Sequence, residues 1–325
     1  MFDIYINKFI DFHYNKKGVA TILVHPNDHP YDSDVVICDK DNKVNAFKMK
    51  NSERGNVYNC VSSGLYILNS QIKDYIPEES SDLVNDIFPE VLNSNLDIYA
   101  YNSSEFVKDM GSPLRIKEVE ASLSSGLISK RNLRKKQKAI FLDRDGVINK
   151  EVDHLISKSD FEFIPNSVDA IKKINKSEYL AIVITNQPAV AKGFCDISDI
   201  EDIHKYMDTL LGNDGAKLDY IIYCPCHPDK GFDGENLKYK RDCEFRKPDT
   251  GMIEKAKIKF NLDLSCCFLV GDSTRDIMTG KNANIKSYLV DTGYKGEDKT
   301  YDVIPDFKAK NLNDAIIKIL KNDNI

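Results

Sequence analysis

The sequence predicts two α/β domains in series, the second built on a parallel sheet with helices on both faces. Three observations predict it. At 325 residues the chain is long for a single ordinary core. Between Ala121 and Gln137 the apolar periodicity stops, and Ser122-Leu123-Ser124-Ser125-Gly126 followed by the basic run Lys130 to Lys136 reads as an exposed connection. After that break, short apolar runs alternate with helical patterns, the arrangement of a parallel sheet with right-handed crossovers. The expected boundaries are therefore 1–121 for the first domain, 122–137 for a linker and 138–325 for the second domain.

In chain order, the first domain offers strands at Val19 to Val24, Val35 to Cys38 and Gly64 to Leu68, with a helix around Leu83 to Leu92. In the second, Ala139 to Leu142, Leu180 to Ile184, Leu218 to Tyr223 and Cys266 to Val270 read as strands, because each is rich in apolar or β-branched residues and ends in polar or small ones. Val168 to Ile174 reads as a helix. Another is expected from Ser198, with Glu201 at the spacing of a capping box, to Leu211. Ligands of such sheets collect at the carboxyl ends of the strands.

Composition is that of a globular protein, with 42% hydrophobic and 30% charged residues and a formal charge of -6, which disfavours a nucleic-acid binder. The run Lys130 to Lys136 is read as solvated rather than as a binding patch. No apolar run reaches the length of a membrane span and the start lacks a signal-peptide pattern, so a cytoplasmic protein is expected. Eight cysteines in a chain this large point to reduced thiols.

Directly after the first strand of the second domain comes Asp143-Arg144-Asp145-Gly146. Two carboxylates leaving the sheet two residues apart can divide labour. One attacks phosphorus and carries an aspartyl-phosphate, while the other protonates the leaving oxygen and then activates water. Gly146 permits the sharp turn. The string alone also suits a Ca²⁺ loop or a polar turn. The other strand ends favour phosphoryl chemistry: Thr185-Asn186-Gln187 offers a hydroxyl and amides to phosphoryl oxygens, and Arg246-Lys247 offers cations against developing charge. Gly271-Asp272-Ser273-Thr274-Arg275-Asp276 supplies carboxylates for a hard cation, for which Mg²⁺ is the expected ion.

These four blocks, in this order, resemble the motifs of the haloacid dehalogenase (HAD) phosphatases from about Lys138 onward. The resemblance implies Asp143 as nucleophile, Asp145 as acid/base, Thr185 as phosphoryl binder and Lys247 as charge stabiliser. It also implies Mg²⁺ held by Asp143, Asp145 and Asp272, with Asp276 behind them. The strings from Asp143 to Asn149, Thr185 to Phe194, Cys224 to Pro228 and Arg246 to Met252 are similar to those of the D-glycero-D-manno-heptose 1,7-bisphosphate 7-phosphatases, with histidinol-phosphate phosphatases as nearest relatives. In that reading Arg246 and Lys192 meet the second, non-reacting phosphate. Both families carry a Zn²⁺-stabilised loop between the third and fourth strands. Here the ligand pairs read Cys224-x-Cys226 and Cys243-x-Phe245, one donor short, with His227 as a candidate to complete a set of Cys224, Cys226, Cys243 and His227.

In the first domain, Ala20 to Asp34, Ser63 to Leu68 and Asp109 to Pro113 resemble the later portion of sugar-phosphate nucleotidyltransferases. Asp109 matches one of that family's metal-binding carboxylates, but the Gly-rich phosphate loop is not in this sequence. His25 and His29 are read as structural. The expectation is a partial nucleotidyltransferase-like module, retained for oligomerisation or sugar binding or belonging to a longer bifunctional protein. Its association with the phosphatase points to nucleotide-activated heptose synthesis. Histidinol phosphate is the alternative substrate, and nucleotidyl transfer the alternative class of activity.

Overall fold

The computed structural model describes residues 1–50 and 52–322; residues 323–325, in the second expected domain, lie outside the described residues. Contacts divide the chain into two units, Met1–Arg134 with Asp208–Gly215, and Lys135–Met207 with Ala216–Ile325.

The first unit comprises β1 (Phe2–Asp3), α1 (Ile6–Lys16), β2 (Ala20–His25), β3 (Val35–Cys38), β4 (Val44–Lys48), β5 (Val61–Leu68), α2 (Phe88–Asn93), β6 (Ile98–Asn102), β7 (Phe106–Val107), α3 (Pro113–Ser124) and α4 (Leu127–Lys130). Its main sheet runs β4-β3-β5-β2-β6, with β6 parallel and β5 antiparallel to β2. Ile22, Phe88, Val91 and Ile98 form its buried centre. The helix expected at Leu83 to Leu92 is a π-helical turn over Leu83–Ile87 that runs into α2. The stretch 122–137 is exposed at Leu123 to Ser125 and at Arg134 to Lys136, but not throughout. It holds the end of α3 and all of α4, and Arg131, Asn132 and Leu133 are buried. Its residues are tied into the unit: the Leu133 amide donates to Glu105 Oε1 at 2.9 Å and Asn132 Nδ2 to Asp3 Oδ1 at 2.6 Å. A basic run reads as solvent-seeking in sequence, but those two hydrogen bonds bury its polar start.

The second unit comprises β8 (Lys138–Leu142), α5 (Ser167–Asn175), β9 (Tyr179–Asn186), α6 (Ile197–Asn213, which groups with the first unit from Asp208 on), β10 (Tyr220–Cys224), α7 (Gly251–Phe260), β11 (Phe268–Gly271), α8 (Thr274–Asn282), β12 (Lys286–Val290), β13 (Phe307–Ala309) and α9 (Leu312–Asn322). The strands pair in parallel in the order β10-β9-β8-β11-β12-β13. Covered on both faces, Ala139 to Leu142 and Leu180 to Val183 are fully buried, which is why they read as unbroken apolar runs. α6 starts at Ile197, before Ser198, and the reach-back contact is made by Asp199, whose carboxylate accepts from the Asp196 amide at 2.7 Å. A capping box does form at α8, between Ser273 and Asp276. The chain leaves β8 toward β9 and β10, then returns to β11 on the other side of β8. The carboxyl ends of β8 and β11 therefore flank the topological switch point, where an open α/β sheet has its crevice.

Candidate active site

Asp143 follows β8, its amide donating to the Val270 carbonyl of β11 at 3.0 Å, so the two strand ends are laced together. Asp143, Asp272 and Asp276 each place a carboxylate oxygen within 4.8 Å of the others. Lys247, 2% exposed, lies among them, 2.8 Å from Asp143 Oδ2 and 2.6 Å from Asp276 Oδ1. Asp276 Oδ2 accepts from Ser273 Oγ at 2.6 Å, so its oxygens are committed to Lys247 and to the cap of α8. Asp272 Oδ2 accepts from the Tyr294 amide at 2.7 Å.

Burial, with repulsion from Asp276, pushes Asp143 up to about 7 and Asp272 up to about 9. Burial acts the same way on Asp276, but Lys247 and the hydrogen bonds from Ser273 together outweigh it and leave Asp276 low. Three carboxylates against one ammonium leave negative charge in excess, and these hard oxygen donors fit a divalent cation such as Mg²⁺. Gly146 makes this approach feasible: its φ is +75°, and a Cβ there would lie 2.2 Å from Asp272 Oδ2.

The carboxylate of Asp145, expected beside these as a metal ligand, lies outside the group. It is turned toward Arg144, whose Nη2 donates to Oδ1 at 2.9 Å and Oδ2 at 2.8 Å, and it accepts from Asn149 Nδ2 at 2.9 Å and Gln187 Nε2 at 2.9 Å. Burial raises its pKa, but the Arg144 guanidinium and those amide donors outweigh burial and leave it lowered.

Thr185 sits at the end of β9, buried, with Oγ1 accepting from Gln187 Nε2 at 3.0 Å. Asn186 and Gln187 line the same cavity, yet their amides are engaged elsewhere than expected. Asn186 bridges the main chain of Lys247, accepting from its amide at 3.0 Å and donating to its carbonyl at 3.1 Å. Gln187 holds Asp145. All three residues line the cavity, with the two amides drawn to buried partners beside it.

The cavity over these strand ends, about 220 Å³, is lined by Asp143, Asp145, Thr185, Lys247 and Asp272 at its floor. Lys192, Arg246, Arg275, His154, His227, Glu151 and Tyr294 also line it. Lys192 Nζ donates to His154 Nε2 at 3.1 Å. Arg246 Nη1 donates to the Cys226 carbonyl at 3.1 Å, and burial and the neighbouring Arg275 lower its pKa. Glu151, His154, Arg275 and Tyr294 carry no motif of their own. Arg275, inside the quoted block, was the one open to recognition from its spacing.

The thiols of Cys224, Cys226 and Cys243 converge within 4.8 Å. His227 is not with them; it faces the cavity, its Nδ1 accepting from the Asp229 amide at 3.2 Å. Consecutive side chains diverge, and Cys226 has taken the inward direction. Burial pushes the Cys224 thiol up to about 12. Three donors fall one short of a closed four-ligand zinc site. The loop has its own packing, with Phe232 against Phe194 and against His227 and the ammonium of Lys240 4.7 Å from its ring centroid.

In the first unit, Asp109 is paired with Arg115 at 2.6 Å and Arg115 with Asp32 at 2.5 Å, while His29 pairs with Asp32 at 2.8 Å. The Arg115 hydrogen bond holds Asp109 below the usual carboxylate range. No helix among the described residues is long and apolar enough to cross a membrane.

Comparison with known proteins finds two different likenesses along the chain. Residues 1–126 match the family model described as nucleotidyl transferase, and residues 244–315 the one described as HAD-hydrolase-like. The chain is 38% identical over 159 residues to the D-glycero-beta-D-manno-heptose-1,7-bisphosphate 7-phosphatase of Pasteurella multocida, covering 48% of this chain and 83% of that one. It is 38% identical over 170 residues to the alpha-anomer 7-phosphatase of Photorhabdus laumondii, covering 52% and 91%. The solved D,D-heptose 1,7-bisphosphate phosphatase of B. bronchiseptica, complexed with magnesium and phosphate, is 29% identical, with a TM-score of 0.49, over 57% of this chain and 99% of that one. Carrying a nucleotidyltransferase-like unit ahead of its phosphatase unit, the chain belongs to the heptose-1,7-bisphosphate phosphatase family of HAD-like hydrolases.

Proposed function

We propose that the second unit removes the C7 phosphate of D-glycero-D-manno-heptose 1,7-bisphosphate through an aspartyl-phosphate on Asp143, in the synthesis of nucleotide-activated heptose. The observation that carries the chemistry is the meeting of Asp143 and Asp145 with Lys247 and Asp272 at the switch point of a parallel sheet. A carboxylate oxygen of Asp143 attacks phosphorus while the bond to the C7 oxygen breaks, and Asp145, which has to enter this step protonated against the pull of Arg144, gives that oxygen its proton. Asp145 then takes a proton from the water that attacks the aspartyl-phosphate, which releases phosphate and restores both carboxyl groups. The Thr185 hydroxyl and the Lys247 ammonium face the phosphoryl oxygens, with Asn186 fixing the main chain of Lys247. Asp143 and Asp272 would hold Mg²⁺, and Asp276 steadies Lys247 behind them. When bound, the ion supplies positive charge toward the phosphoryl oxygens.

Lys192, Arg246 and Arg275 around the same cavity suit a second phosphate, and they would repel the amine of histidinol phosphate. That favours a bisphosphate. Nucleotidyl transfer has less support, because Asp109 is already committed to Arg115. The first unit's bearing on the pathway is one of association rather than chemistry.

The test is phosphate release, with and without Mg²⁺, from the two anomers of heptose 1,7-bisphosphate and from histidinol phosphate, with Asp143→Asn as control. Fast Mg²⁺-dependent release from one heptose anomer, lost in the variant, is expected. A preference for histidinol phosphate would overturn the substrate, and activity surviving Asp143→Asn would overturn the mechanism.

A further inference from the structure

Asp145 can serve both half-reactions only if its carboxylate is held in one orientation. The group that holds it is Arg144, one residue earlier and the largest fully buried side chain among the described residues. Arg144 Nε donates to Asp145 Oδ1 at 3.1 Å, and Nη2 donates to both carboxylate oxygens and to Gln187 Oε1 at 3.1 Å. A guanidinium locked on one edge can still pivot unless its other edge is fixed. That edge points into α6, where Nη1 meets His204 Nε2 at 3.1 Å.

A guanidinium only donates, so Nε2 must be the bare nitrogen and the ring proton must sit on Nδ1. His204 is fully buried, and its Nδ1 has no hydrogen-bond partner among the described residues. The ring rests edge-on against Tyr223, centroids 5.1 Å apart, in a slot that an apolar ring would fill without an unpaired N–H. Packing alone therefore disfavours histidine here. What histidine adds is an acceptor for Arg144.

We propose that His204 is a positioning residue: it fixes the far edge of Arg144, and Arg144 in turn aims the Asp145 carboxylate at the leaving oxygen. This rests on the reading of Asp145 as the acid/base and not on the identity of the sugar. Burial and the neighbouring guanidinium keep His204 neutral, as the acceptor role requires.

The test compares His204→Phe, which keeps the ring and loses the acceptor, with His204→Gln, which restores an acceptor. Each full-length variant is assayed with Mg²⁺ on glycerol 2-phosphate, whose alkoxide needs a proton to leave, and on p-nitrophenyl phosphate, whose phenolate does not. For His204→Phe we expect kcat/KM on the alkyl ester, which reports only the step that expels the leaving group, to fall about 10-fold, with kcat/KM on the aryl ester changed by less than about 2-fold. His204→Gln should recover most of that loss. Equal losses of kcat/KM on both esters, no loss in His204→Phe, or no recovery in His204→Gln would overturn the proposal. Should His204→Phe not fold by circular dichroism, His204→Asn, whose oxygen falls on the Nδ1 side, takes its place with the same expectation. Asp145→Asn serves as reference. If it lowers kcat/KM for both esters alike, the acid reading of Asp145 has failed; if it spares kcat/KM for the aryl ester while His204→Phe does not, the positioning inference has failed.

Discussion

Replacing Gly146 by alanine strikes a very close approach in the site. The added Cβ would stand 2.2 Å from Asp272 Oδ2 and 2.6 Å from its Cγ, whereas ordinary contact begins at 3.4 Å. Something must therefore move by roughly 1 Å, and the surroundings resist it. Asp272 Oδ2 is held by the Tyr294 amide at 2.7 Å, and the Gly293 Cα is 3.1 Å from the new carbon. Gly293 has no room to give, since its own Cβ position is 2.0 Å from the same oxygen. The backbone at φ +75° adds a further cost, about 1–2 kcal/mol for a residue with a side chain. A displacement of about 1 Å in a catalytic constellation lowers the rate by about 100-fold. The expected result for Gly146→Ala is thus a fall of about 100-fold in kcat/KM for phosphate release, with a melting temperature lower by only about 2–8 °C. Steady-state kinetics at saturating Mg²⁺ and a thermal melt of the same sample measure both. Activity within about threefold of the parent would refute the claim that Gly146 is there to let Asp272 in.

Two further outcomes follow from the buried charges. Lys247→Met removes the cation from between Asp143 and Asp276 and leaves both carboxylates without it. The metal-free protein should lose about 3–5 kcal/mol in denaturant unfolding, and phosphate release should fall at least about 100-fold; a stable, active variant would contradict the ion-pair account. Burial, with repulsion from Asp145 and Asp143, raises Glu151 to about 7, so the folded form holds its proton more tightly than the unfolded chain. Its stabilising contribution is fully present below the unfolded carboxylate range and is lost as pH rises toward 7. In chelator, Glu151→Gln should flatten the fall in melting temperature across that interval, and an unchanged slope would show that Glu151 is ordinary.

Much of the second unit was legible because its signals are local. A parallel strand covered on both faces must be apolar throughout, so Ala139 to Leu142 and Leu180 to Ile184 could be read as strands from side-chain type alone. Residues that end such strands must lie at one edge, which is why Asp143, Thr185 and Asp272 could be grouped without coordinates. β12 and β13 were not read: Lys286 and Ser287 interrupt the first, and the second is three residues long. The burial of Arg131 to Leu133 within the stretch 122–137 was not legible, because it depends on Glu105 and Asp3, far away in sequence.

What the sequence by itself determined is the chemistry on offer: two carboxylates after one strand, a hydroxyl after the next, then a lysine, and a further carboxylate pair. What only the tertiary structure decided is which partner each group faces. Asn186 was drawn to the Lys247 main chain, Gln187 and Arg144 to Asp145, and His204 to Arg144. His227 turned to the cavity while Cys226 turned to the thiols. These choices depend on the pairing of strands far apart in the chain and on hydrogen bonds that burial makes obligatory. Spacing along a sequence carries no record of either.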